Sequence, residues 1–232
     1  MNNVIAGSAT IGVVISLLAY WIGMELRRRT GKAFVNPLLI SIILVIVFLL
    51  VFHVDYDNYN ASAKYLSWFL TPATVSLAIP LYQQLERLKQ NYKAILVSIL
   101  AGSIASMGSV LALALLFGFT HEQYVTFLPK SITTAIGMGV VEELGGITPI
   151  TVATIIVTGI FGNIIGEALC KALRITDPVA VGLALGTSAH AIGTAKAMEL
   201  GETEGAMSGL AIGICGLMTA CLSLGFDWLL RL

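Results

Sequence analysis

The chain has 232 residues, 57% of them hydrophobic and 11% charged, with a mean hydropathy of +0.90 and a net charge of zero. Soluble domains carry about 25% charged residues, so the composition excludes a water-soluble globule, and the balanced charge gives nucleic acid no electrostatic footprint. Cys170, Cys215 and Cys221 are an odd set inside apolar segments. They read as small hydrophobes rather than as a disulfide or metal framework. No zinc-type spacing of His, Cys and carboxylate is present, and no cofactor is implied.

Crossing about 30 Å of hydrocarbon takes about 20 apolar residues. In chain order, spans are predicted at 4–24, 35–53, 65–85, 94–119, 148–170 and 205–230, the third interrupted by Pro72 and Pro80. Arg27, Arg28, Arg29 and Lys32 follow the first apolar run, the pattern of a retained span rather than a cleaved signal. They put the 25–34 loop in the cytoplasm and the N-terminus outside. "DYDNYNASAK" then becomes an external loop and "ERLKQNYK" a cytoplasmic one.

Two further segments, 127–147 and 179–202, are apolar yet too polar or broken for ordinary spans. Keeping Lys171 and Arg174 inside requires 127–147 to enter and leave on the outer face, and 179–202 to dip in from the cytoplasm. The two also resemble each other: "AIGMGVVEELGG" starts at Ala135 and "AIGTAKAMELGE" at Ala191. Two broken hairpins from opposite faces, each followed by a span, form an inverted repeat of the kind secondary transporters use. The competing reading is two unrelated small-residue packing helices.

The fold class that follows is an all-α polytopic membrane protein. It has about six transmembrane helices plus two re-entrant broken-helix hairpins in an inverted repeat, an elevator-like transporter architecture. Its parts are N-terminal scaffold helices (1–64), a broken helix with a span (65–126), a first hairpin with its span (127–173) and a second (179–232).

The first hairpin opens on "LPKSITTAIGMG". Pro129 breaks or starts a helix. Ser131, Thr133 and Thr134 offer hydroxyls beside a half-helix N-terminus, whose free N–H groups favour an anion. Lys130 either adds a full positive charge to that cradle or snorkels to the interface. The second hairpin carries Thr187, Ser188, His190 and Thr194 between Gly186 and Gly193. His53 and His121 sit near span ends; His190 lies deeper in a predicted membrane segment, either a functional group or a hydrogen-bonded packing residue. The broken span adds Thr71 and Thr74. Candidates for coupling to protons or sodium are His190, Glu142, Glu143 and Asn163; the glutamates equally mark the wet ends of helices. Lys196 with Glu199 and Lys171 with Glu167 read as structural pairs along helices. "GSIASMGS" and "GLAIGICG" read as close helix packing.

Three stretches carry a resemblance: "LTPATVSLAIPLYQQ" (70–84), "LPKSITTAIGM" (128–138) and "GTSAHAIGTAKAMELGETEGAMSGLAIGICGLMTA" (186–220). They resemble the LrgB/CidB family, over most of the chain from about residue 65. The chain departs from the family pattern at Ser188-Ala189, where Ala-Ser is usual, at Ala135, where proline is frequent, and in "GVVEELGG". The resemblance implies two roles. One is an antiholin-like regulator of murein hydrolase export and autolysis, working with a small LrgA/CidA holin-like partner. The other is a carrier of small monocarboxylates such as pyruvate, lactate or glycolate. The residues favour the carrier, in a bacterial cytoplasmic membrane. Its site would lie between Lys130, Ser131, Thr133 and Thr134 on one tip and Thr187, Ser188, His190 and Thr194 on the other, with Thr71 and Thr74 nearby. The remaining helices would form a dimerising scaffold, and no enzymatic motif is seen.

Overall fold

The structure, a computed structural model, describes residues 10–31, 35–69 and 85–229, together with 8, 72 and 82. Thr71, Thr74 and most of the broken span 65–85 lie outside the described residues. Every regular element among the described residues is helical. The chain divides into two compact units, Met1–Ser76 and Leu77–Leu232.

In the first unit, α1 (Ile11–Thr30) packs on α2 (Pro37–Val51) and α3 (Tyr56–Ala63), and a 3-10 turn (Lys64–Phe69) follows. The predicted 25–34 loop is helical up to Thr30. Three arginines in the last turn suit the negative end of the helix dipole, and Glu25 pairs with Arg28 at 3.0 Å and Arg29 at 2.8 Å. Gly31 ends the helix at φ 62°, donating its N–H to the Arg27 carbonyl. The predicted external loop 55–64 is largely helix α3, held by a 2.6 Å Ser16–Tyr59 hydroxyl contact and by Ser62 Oγ accepting from Gly12 N at 2.8 Å. Asn36 caps α2 by accepting from the N–H groups of Leu38 and Leu39.

The second unit contains α4 (Leu85–Phe117), α5 (His121–Phe127), α6 (Thr134–Leu144), α7 (Thr148–Ala172), α8 (Pro178–Leu200) and α9 (Glu202–Leu229). Within these, Lys89–Phe117, Thr148–Ala172 and Glu202–Leu229 are long and apolar enough to cross a membrane. The predicted cytoplasmic loop 86–93 forms the opening turns of α4, which suits its Glu, Arg, Lys and Gln, all good helix formers.

The first hairpin starts earlier than expected, at His121 instead of 127, with Thr120 closing a capping box on Gln123. Residues 128–133 are its turn, and α6 runs back beside α5: Gly137 faces Pro129 and Gly146 faces Thr126. Thr126 Oγ1 accepts from Ile147 N at 2.8 Å, and Thr151 Oγ1 donates to the Thr126 carbonyl at 2.8 Å, closing the base. Lys130 therefore sits at a tip, not at the wet start of the segment.

Helix α8 breaks at Ala189 (φ −133°, ψ 15°) and His190 (φ 43°, ψ −138°). The break is a reversal. Gly193 lies against the Leu185 carbonyl, eight residues back, so near that an added Cβ would be 2.5 Å from it; in a straight helix eight residues rise about 12 Å. The first limb runs parallel to α9, with Gly182 on Glu204 and Gly186 on Ser208. The second limb runs antiparallel to it, with Gly205 on Met198 and Thr194 Oγ1 2.7 Å from Ser208 Oγ. Helix α7 packs along the first limb in the opposite sense, Gly162 on Ala189 and Gly166 on Leu185. It follows that α7 and α9 run in opposite directions.

One apolar cluster joins Ile95, Ile99, Ile132, Leu183, Met207 and Ala211, and a second joins Met107, Val110, Ala114, Tyr124, Val125 and Leu128. Together they lock α4 against both hairpins and α9.

Candidate functional site

The turn of the first hairpin and the end of α8's first limb reach the same neighbourhood along α4. Ser131 Oγ is 2.8 Å from Ser106 Oγ, and the Thr187 methyl covers Gly102 one turn away. Between them lies a cavity of about 560 Å³. Its polar lining comprises Ser98 and Ser106 of α4, Lys130 and Ser131 of the turn, Thr158 of α7, and Thr187 and Ser188 of α8. The other walls are apolar, led by Phe161, Ile165, Leu169 and Leu183.

Lys130 Nζ donates to Ser106 Oγ at 2.9 Å and to Ser131 Oγ at 3.4 Å. No carboxylate among the described residues pairs with it. An ammonium has three N–H donors and each serine has one. Two ammonium hydrogens point to the serines, and the 2.8 Å serine–serine contact uses one hydroxyl hydrogen. One ammonium hydrogen and one hydroxyl hydrogen remain, together with a positive charge. That set matches the two oxygens of a carboxylate.

The other sequence candidates lie elsewhere. Thr133 is the N-cap position of α6 without a side-chain cap bond, and Thr134 is the first residue of that helix. His190 is buried, with Nε2 2.9 Å from the Ile155 carbonyl. Thr194 Oγ1 donates to the His190 carbonyl at 3.1 Å, and Asn163 Nδ2 donates to the Ile192 carbonyl at 2.8 Å. These three hold the fold-back of α8, whose break frees backbone groups that must find partners. Glu142 and Glu143 are exposed near the C-terminus of α6, beside a separate shallow depression with Ala135, Ile136 and Gly139.

Three cavity hydroxyls, Ser98, Ser106 and Thr158, were not among the candidates. The signal for Ser106 was "GSIASMGS", whose serines read as packing residues; one of them meets the lysine. Lys196 pairs with Glu199 at 3.5 Å, but its tighter partner is Glu167 at 2.6 Å, which also holds Lys171 at 2.6 Å. That clamp joins α7 to the second limb of α8 and needed tertiary structure to be seen. Among the described residues no group of three or more His, Cys, Asp or Glu could hold a metal ion.

The LrgB-like family profile matches residues 16–227. The chain belongs to the LrgB family. An antiholin-like protein LrgB of Bacillus mycoides (strain KBAB4) is 39% identical over 209 residues, covering 90% of this chain and 91% of that protein. The antiholin-like protein LrgB of Bacillus cereus (strain B4264) matches to the same extent. No solved structure matches. With three long apolar helices among its described residues, this LrgB-family chain is a membrane protein.

Proposed function

We propose that this LrgB-family protein is a membrane carrier of small monocarboxylates. The observation that carries this reading is the Lys130 Nζ, held by Ser106 and Ser131 at a cavity between two broken-helix tips. A broken helix at membrane depth is tolerated where it lines a cavity, and transporters place such breaks at their binding sites. The opposite directions of α7 and α9, each preceded by a hairpin, support an inverted repeat and alternating access; on this reading the chain has about six spans. On this reading the N-terminus is outside a bacterial cytoplasmic membrane, and the first unit is a dimerising scaffold. Thr187 and Ser188 join the site from the opposite tip.

The second reading is an antiholin-like regulator of murein hydrolase export that assembles with a small LrgA/CidA-type membrane protein. The relatives' name, antiholin-like protein LrgB, at 39% identity over 90% of the chain, speaks for it and favours it over the carrier. The two roles part in one experiment, uptake of labelled pyruvate into liposomes containing the purified protein alone. Uptake accelerated by internal unlabelled pyruvate is the carrier result. Absence of uptake for pyruvate, lactate and glycolate alike is the regulator result.

A further inference from the structure

The charge at the cavity is unbalanced, and the imbalance dictates what a ligand must bring with it. Around Lys130, the facing groups of α4 are Ser98 and Ser106, those of α7 are Thr158 and apolar side chains, and those of α8 are Thr187 and Ser188. No acid among them lines the cavity. Glu167, the one acid of α7, is held between Lys171 and Lys196. Glu199 of α8 is beside Lys196. Glu142 and Glu143 end α6 on another face. In α9, Glu202 and Glu204 belong to the first turn, while Asp227, in the last, meets His121 of α5 at 3.0 Å. His190 turns its Nε2 to the Ile155 carbonyl.

An ammonium facing apolar walls without a counter-charge is costly, and such a group neutralises instead. A neutral Lys130 amine keeps its contacts, because one serine hydroxyl can donate to the single Nζ lone pair while an amine N–H donates to the other serine. A carboxylate at the cavity supplies the missing charge and favours the ammonium.

We propose that Lys130 is the proton-coupling group of this cavity: empty, it holds a neutral amine, and a monocarboxylate binds together with one proton. The proton comes from water and adds to the Nζ lone pair; the anion's charge cancels the ammonium's; no bond in the ligand changes. The loaded cavity is then neutral overall, the state that crosses low-dielectric surroundings most cheaply. Sodium has no carboxylate here to bind it. This inference rests on the carrier reading and assigns its coupling to Lys130 in place of His190, Glu142, Glu143 or Asn163.

The test uses the purified full chain in detergent at mildly alkaline pH, with pyruvate as probe and a pH indicator in weak buffer. The wild-type protein should take up about one proton per pyruvate bound. Lys130→Arg, always charged, and Lys130→Gln, never charged, should bind without proton uptake. Uptake that persists in either variant overturns the proposal, as does wild-type binding with no uptake. If neither variant binds, His190→Gln, Glu142→Gln and Glu143→Gln decide: unchanged uptake in all three supports Lys130, and loss in any one moves the coupling there. A wild-type protein that binds none of pyruvate, lactate and glycolate overturns the carrier reading itself, which is distinct from binding without protons.

Discussion

The imidazole of His190 rests on Gly159 of α7, where a Cβ would come within 2.6 Å of Cε1 and 2.8 Å of Nε2. The missing side chain is what lets Nε2 reach the Ile155 carbonyl, one turn earlier on the same helix. Gly159→Ala should therefore lift the ring from its partner and cost about 1–3 kcal/mol. Gly108→Ala in α4, where nothing lies within 4 Å, should be neutral or stabilising by up to about 1 kcal/mol. Thermal unfolding of both variants in one detergent reads the contrast; equal melting temperatures would mean that the ring has room to give.

His190 occupies φ 43°, ψ −138°, backbone that only glycine adopts freely. A side chain held there stores about 1–3 kcal/mol. His190→Ala keeps that strain while losing the bond to Ile155, whereas His190→Gly loses the bond and relieves the strain. The glycine variant should be the more stable of the two by about 1 kcal/mol. The reverse order in a denaturation series would show that the backbone at this position carries little strain.

Glu167 bridges two lysines of unequal burial. The Lys196 side chain is 15% exposed and that of Lys171 75%. Lys171→Ala should cost at most about 0.5 kcal/mol, as exposed pairs do. Lys196→Met should cost about 1–2 kcal/mol, because it unties α7 from the second limb of α8. The charge-swapped double variant Glu167→Lys with Lys196→Glu should recover part of that loss. A double-mutant cycle with no coupling would make the clamp incidental.

Under the carrier reading, the serines that bracket Lys130 should matter more than other serines of α4. Ser106→Ala and Ser131→Ala should each weaken pyruvate uptake about tenfold, the value of one hydrogen bond to a charged group. Ser109→Ala is the control, since its hydroxyl donates to the Ser106 carbonyl and is exposed. Equal uptake by all three would detach this cavity from transport and place the site elsewhere.

The sequence was most legible where charge and apolar length coincide. The arginines after the first apolar run suggested a loop from residue 25, whereas α1 continues six residues past the predicted span to Thr30, since basic side chains also suit a helix's last turn; the basic Lys171 and Arg174 sufficed to suggest that 179–202 turns back. Lys130, Ser131, Thr187 and Ser188 were legible as polar residues where lipid or protein should be, and they line one cavity. Spacing hid the rest. Ser106 is 24 residues from Lys130 and belongs to another helix, so nothing local links them. The start of the first hairpin was missed because the polar His121, Glu122 and Gln123 look like a loop, although Thr120 and Gln123 already have the spacing of a capping box. His190 invited a chemical role because it is ionisable, but its backbone, not its acidity, is its distinctive feature here.

The reversal of α8 has no proline at its apex. Residues 186–193 read "GTSAHAIG", and neither glycine is at the bend itself. Apart from the Thr194 bond to the His190 carbonyl, what sustains the turn comes from outside: Asn163 and the Ile155 carbonyl from α7, Ser208 from α9. The shape is therefore borrowed from the neighbours rather than owned by the segment. A synthetic peptide of residues 178–200 in lipid vesicles should straighten into one continuous rod, with its ends on opposite leaflets, as quenching of probes at the two termini would report. Residues that choose the bend in this protein are thus found in helices that do not themselves bend.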